Sequence, residues 1–181
     1  NLYSSEKKYE LAIKNYQKAI ELKPNFMFAY LNLGNAQFES EFYEESIVSF
    51  EKSISFNRNF IPSYLNICRA LLKLEKYDQA LKYSDEVIKL DKMNIQANLI
   101  QGDINLSLKN FSNALKNYER IIKIEPTHSL VLGKLLHAKM FLHDWKNYKK
   151  LLGDIIKYVD KNIMVIHPSI FLPLTDQPDL H

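Results

Sequence analysis

The chain is poor in the residues that break helices and in those that anchor chemistry. It has 4 glycines and 6 prolines in 181 residues. Four of the prolines lie from residue 126 onward, so helices are favoured along most of its length. The single Cys68 excludes an internal disulfide framework and fits a reducing, cytoplasmic setting. No apolar run approaches the length that spans a bilayer, so no membrane partner is expected. There is no glycine-rich phosphate loop and no His/Cys cluster at metal spacing. No catalytic residue, metal or cofactor is therefore expected. A net charge of +3 is too small to imply a nucleic-acid partner. Basic residues are also not interleaved with aromatics on one stripe.

The chain is 46% hydrophobic and 25% charged, enough to bury a core. It also repeats itself. At a shift of 34, an aromatic recurs at Tyr9, Tyr43, Tyr77, Phe111 and Trp145. Ile20, Ile54, Ile88, Ile122 and Ile156 form a second column, and Leu22, Phe56, Leu90, Ile124 and Tyr158 a third. Ile13, Tyr16, Ala19 and Ile20 keep helical spacing between them. The spacing predicts further helices over 27–39, 61–73, 95–107 and 129–142. Pro24, Pro62 and Pro126 fall at the junctions, where proline ends one helix or starts the next. One helix pair cannot bury its apolar face alone, so pairs stack and the Ile column and the aromatic ladder are expected in the core.

The second unit reads Tyr30, Leu33, Gly34, then Ser46, Phe50, Ser53. The first offers Ala12, Tyr16, Ala19 and Pro24, the third Tyr64, Ile67, Cys68 and Ala80, and the fourth Gly102, Ala114, Tyr118 and Pro126. This resembles the tetratricopeptide repeat, with small residues where paired helices approach and aromatics beside them. Asn98 and Gln101 depart from the pattern, which predicts looser packing there. The resemblance implies an all-α fold, a right-handed α-α superhelix or solenoid, with a non-helical C-terminal tail. The expected division is a partial first repeat at 1–26, with only the tail of its first helix in 1–5. Repeats at 27–60, 61–94 and 95–128 follow, then a degenerate capping repeat at 129–160 and an extended tail at 161–181. The chain opens in mid-pattern without an initiator methionine and reads as a fragment.

Stacked repeats line a concave groove with their first helices. Asn32 and Asn66 occupy equivalent places there, followed in later repeats by Ile100 and Lys134. One turn on lie Asn35, Arg69, Asp103 and His137. An amide offers donors and an acceptor, and so can hold a peptide backbone without reading its side chains. Asn32, Asn66, Asn35, Arg69 and Asp103 are the candidate groove residues, for an extended peptide or protein partner. The competing reading is that they reflect a chain holding 16 asparagines. A basic clamp for a C-terminal carboxylate is disfavoured, because Leu31 and Leu65 stand at the matching positions. Glu44-Glu45 and Lys149-Lys150 read as solvated faces. Association of copies through the repeats remains open.

Asp144, Trp145 and Tyr148, then Phe171, Leu174, Asp176 and Pro178, resemble the junction between repeats and catalytic region in the O-linked N-acetylglucosamine transferase family. That resemblance implies a parent enzyme moving a sugar from a nucleotide donor to protein Ser or Thr, with these repeats holding the acceptor. It places His167 near the sugar-nucleotide site. The alternatives are a stand-alone scaffold or chaperone adaptor, or another catalytic domain fused to the repeats.

Overall fold

A computed structural model describes residues 2–159. Among these every regular element is an α-helix. The helices are α1 (Leu2–Leu22), α2 (Met27–Glu39), α3 (Tyr43–Phe56), α4 (Ile61–Lys73) and α5 (Tyr77–Leu90), then α6 (Ile95–Ser107), α7 (Phe111–Ile124), α8 (Ser129–Phe141) and α9 (Tyr148–Val159). The four helices expected over 27–39, 61–73, 95–107 and 129–142 are there, the last ending one residue early. The tail expected at 161–181 lies outside the described residues.

The chain forms two compact units, Asn1–Ala97 and Asn98–His181, divided within α6. In the first, α1 packs on α2, α2 on α3, α3 on α4 and α4 on α5, while α2 also touches α4. In the second, α7 packs on α8 and α8 on α9.

The period is set by the turns. Glu41, Glu75, Lys109 and His143 all hold positive φ, at 63°, 56°, 59° and 51°, and are spaced by 34. In each turn the next N–H reaches back five residues: Phe42 to Gln37 O at 2.9 Å, Lys76 to Leu71 O at 2.9 Å, Asn110 to Asn105 O at 2.7 Å and Asp144 to Lys139 O at 3.0 Å. The left-handed residue itself bonds three back, as Glu41 N–H does to Phe38 O at 3.0 Å. These are Schellman caps, which satisfy the last carbonyls of a helix while reversing the chain. Glycine is the usual occupant, and a side chain there costs about 1–2 kcal/mol of backbone strain. Pro62 sits in the first turn of α4.

Three expectations need correction. First, α1 runs unbroken through residues 2–22. The position equivalent to Glu41 is Lys7, and Glu6-Lys7-Lys8 are good helix formers with no glycine or proline to stop them. Second, the Ile column and the aromatic ladder are not the core, and neither is the third column. Ile20, Ile54, Ile88 and Ile122 are half-buried, while Leu22, Phe56, Leu90 and Ile124 are exposed at the helix ends. Tyr9, Tyr43, Tyr77 and Phe111 are half-buried and Trp145 is 54% exposed. Third, α9 starts at Tyr148, three residues later than the period predicts. Asp144 Oδ1 accepts the Lys146 N–H at 3.1 Å and Asn147 takes φ 59°, which together extend the turn.

The core is made from other columns. Ala29, Ser63, Ala97 and Val131 are buried on the first helices, and Ser53, Val87, Ile121 and Ile155 on the second. The paired helices approach closely at Gly34, where an added Cβ would lie 2.6 Å from the Phe50 ring, and more closely still at Gly102. Gly102 stands in the same relation to Tyr118. The equivalent pair on α4 and α5 is Cys68 with Ser84, and on α8 and α9 Leu136 with Leu152. At Gly34 and Gly102 the absence of a side chain makes room for a ring, whereas Cys68/Ser84 and Leu136/Leu152 are pairs of similar size. Burying a ring such as Phe50 contributes about 2–3 kcal/mol. Gln101 does not loosen its helix pair: its Oε1 accepts the Asn117 amide at 2.9 Å, both residues being buried.

Candidate peptide-binding site

In the first unit, α2 and α4 carry four of the candidate residues on adjacent first helices. Asn66 Nδ2 donates to Asn35 Oδ1 at 2.9 Å. Arg69 Nη1 reaches Asn66 Oδ1 at 3.5 Å, and its guanidinium lies 4.8 Å from the centroid of the Phe38 ring. Asn35, Asn66 and Arg69 line a cavity of about 290 Å³ with Phe38, Glu39 and Phe50. Asn32 and Arg69 are exposed, and Asn32 lies outside that lining. The joined amides keep an Asn66 donor hydrogen and an Asn35 amide group directed at their surroundings, since each amide has two donors and an acceptor. The Arg69 fork is steadied on an aromatic face, worth about 0.5–1 kcal/mol at an exposed site.

In the second unit the same two columns hold an ion pair. Lys134 Nζ lies 2.5 Å from Asp103 Oδ2, and the Tyr118 hydroxyl donates to Asp103 Oδ1 at 2.7 Å. Burial, then the Asp103 carboxylate, raises the Tyr118 phenol far above its ordinary range. Tyr118 therefore stays protonated and acts as a donor. Asp103 faces two internal donors, unlike the groove residues of the first unit. His137, one repeat on from Asp103, stands edge-on to Phe141 with ring centroids 4.9 Å apart. Its Nδ1 is buried without a partner, and burial lowers its pKa.

Cys68 is buried, with Sγ donating to Ala80 O at 3.4 Å, and burial pushes its thiol up to about 12. It packs as a small apolar residue and is no nucleophile at neutral pH. Among the described residues, no group of three or more His, Cys, Asp or Glu could hold a metal ion. No described helix is long and apolar enough to cross a membrane. His167, Phe171, Leu174, Asp176 and Pro178 lie outside the described residues.

Sequence reasoning found the columns but missed the bonds within them, and missed Phe38, Glu39 and Phe50 as cavity walls. A signal was present: Asn35 to Asn66 and Asp103 to Lys134 are both separations of 31 residues. That is one period less one turn, the offset that faces a first helix with its successor.

Helix pairs joined by identical turns and packed through a small-residue column define an all-α repeat scaffold. The sequence model of the family described as "TPR repeat" matches residues 1–41, and two described as "Tetratricopeptide repeat" match 29–60 and 65–129. The chain thus carries tetratricopeptide repeats, with the fold of tetratricopeptide-repeat solenoids. A crystal structure of MamA superposes with a TM-score of 0.77 at 19% identity, covering 85% of this chain and 90% of that one. YrrB, titled a TPR protein with an unusual peptide-binding site, gives 0.73 at 21% identity over 98% of this chain and 88% of its own. The first TPR of Spaghetti (RPAP3), bound to the HSP90 peptide SRMEEVD, gives 0.61 at 21% identity over 65% and 93%. No curated protein matches in sequence.

Proposed function

We propose that the chain is a peptide-binding repeat module whose partner lies extended across α2 and α4, on Asn35, Asn66 and Arg69, with Asn32 beside them. The observation that carries this reading is the joined amide pair with Arg69 beside it, at the mouth of a cavity walled by Phe38 and Phe50. Amides at fixed spacing suit a peptide backbone, and a steadied guanidinium suits a carbonyl or carboxylate. Two proteins of this fold, YrrB and RPAP3, are titled for peptide binding, which supports the class of partner. Asp103 contributes by fixing Tyr118 and Lys134 rather than by touching the peptide. The repeats at 27–60, 61–94 and 95–128, between the partial 1–26 and the capping 129–160, are the units of this module, and its setting is cytoplasmic.

The test is selection of peptides on the immobilised chain, followed by titration of the best binder against Asn35→Ala/Asn66→Ala. Affinity is expected to fall about tenfold or more, equivalent to 1.4 kcal/mol. Unchanged affinity with the helical content intact overturns the site. The finer reading makes the peptide an acceptor for sugar transfer. It is supported by Asp144, Trp145 and Tyr148 and by the order of residues after them. In the fold, Asp144 pairs with Lys139, and Trp145 meets Tyr148 edge-on at 5.2 Å. Reading the coding sequence beyond His181 decides it: a nucleotide-sugar-binding region supports it, and a stop codon sinks it.

A further inference from the structure

Of the exposed aromatics, those at turns from a first helix to its second form one edge in each unit. In the first unit Phe42 is 51% exposed at the turn between α2 and α3. In the second, Phe141 is 56% and Trp145 54% exposed at the turn between α8 and α9. Both edges are firmly held. Phe42 follows a Schellman cap, and Phe141 stacks on Phe111 at 4.4 Å with planes 10° apart. Rings left half in water on rigid turns, ringed by charge, have the anatomy of an interface centre with a polar rim.

The charge around them identifies the occupant. Over residues 36–48 the edge carries Glu39, Glu41, Glu44 and Glu45 and no basic residue. The equivalent windows 70–82, 104–116 and 138–150 carry net charges of +1, +2 and +3. The last holds Lys139, Lys146, Lys149 and Lys150 against Asp144. Lys139 is buried on Asp144, which leaves Lys146, Lys149 and Lys150 exposed within five residues of Trp145 in sequence. All four glutamates are exposed, although Glu44 also reaches Lys76 at 3.4 Å. An acidic rim around one phenylalanine and a basic rim around a Phe/Trp pair are complementary in charge and alike in apolar centre.

We propose that the Phe42 edge of one copy docks on the Phe141/Trp145 edge of a second copy, so that the chain associates head to tail. The contact joins two different surfaces. It therefore propagates into longer assemblies unless the rotation between copies closes a ring. Glu41 and Glu45 meet Lys149 and Lys150 at the rim while the rings exclude water between them.

Sedimentation velocity on the 181-residue chain over a concentration series tests this. The average mass rises with concentration above 21.3 kDa. The rise is suppressed when salt goes from about 50 to about 500 mM, because rim charges are screened. Glu41→Lys/Glu45→Lys and, separately, Lys149→Glu/Lys150→Glu each weaken association at least about tenfold, while a mixture of the two variants returns to within about threefold of the native chain. The four positions are exposed, and circular dichroism on each variant verifies that it is folded. A chain that stays monomeric throughout the series overturns the proposal. So does association unaffected by either reversal, and so does failure of folded variants to rescue each other on mixing.

Discussion

The two units answer the same structural demands with different chemistry. Residues 1–97 hold 13 basic and 13 acidic side chains, whereas residues 98–181 hold 11 and 8. Where one first helix meets the next, the first unit uses an amide pair, Asn35 with Asn66, and the second an ion pair, Asp103 with Lys134. Where the first unit buries Leu33 and Ile67, the second buries Gln101 against Asn117. The column fixes the geometry of contact and leaves the chemistry free. The neutral joint keeps hydrogen-bonding capacity for a ligand. The charged joint spends its capacity internally, on Lys134 and a buried phenol.

Breaking the shared geometry should have an effect comparable with breaking the charged joint. Gly34→Ala and Gly102→Ala each force a ring aside: overpacking costs about 1–3 kcal/mol, partly offset by about 1 kcal/mol of helix propensity. Urea unfolding should show Gly102→Ala to be the worse, because moving Tyr118 also strains its bond to Asp103. Combining Gly34→Cys with Phe50→Ser copies the Cys68/Ser84 solution, and a double-mutant cycle should return a favourable coupling of about 1–3 kcal/mol. No coupling would mean that the pairs do not compensate in size.

Asp103→Ala strands the fully buried Tyr118 hydroxyl and should lower unfolding free energy by about 1–3 kcal/mol. Asn35→Ala, at an exposed position, should cost about 0.5–1 kcal/mol. Equal losses would erase the distinction between the joints. Lys134→Ala should cost no more than about 1 kcal/mol, since both partners of its ion pair are partly solvated.

The smallest effect is on pH dependence, and it belongs to the second unit alone. Burial lowers the pKa of His137, so the folded state binds its proton less readily than the unfolded chain does. Its contribution is intact above the unfolded value of about 6.5 and is lost as pH falls below it. Denaturant midpoints followed from pH 7.5 to 5.5 should drop less in His137→Phe than in the native chain. An identical drop would show that other groups carry the acid sensitivity.

Much of the fold was legible because the period is set by turns. Their spacing fixes the helices to within a residue from α2 to α8, and proline marks the junctions. The core was legible at the repeat-type positions, where Leu33, Ser46, Phe50, Ser53, Ile67, Cys68, Ala80, Ala114 and Tyr118 are all buried, and not in the columns of like letters. A glycine faces a ring at Gly34/Phe50 and Gly102/Tyr118, but Cys68/Ser84 and Leu136/Leu152 pair residues of similar size, so neither side repeats in every unit. The letters that do repeat, such as Ile20 to Ile122, sit half-buried, where every repeat offers the same local surroundings. In the candidate site, Asn35 and Asn66 could be named from the sequence. Their mutual bond could not, because a separation of 31 has no meaning until the tilt between successive pairs is known.

The four Schellman turns give the molecule a built-in set of reporters. The amides of Phe42, Lys76, Asn110 and Asp144 sit in matching bonds at matching places in the period. Once each amide's intrinsic rate, set by its own neighbours in sequence, is divided out, differences in deuterium uptake among them report how often each helix pair opens. Four peaks in one exchange experiment would chart where along the chain the repeats loosen first.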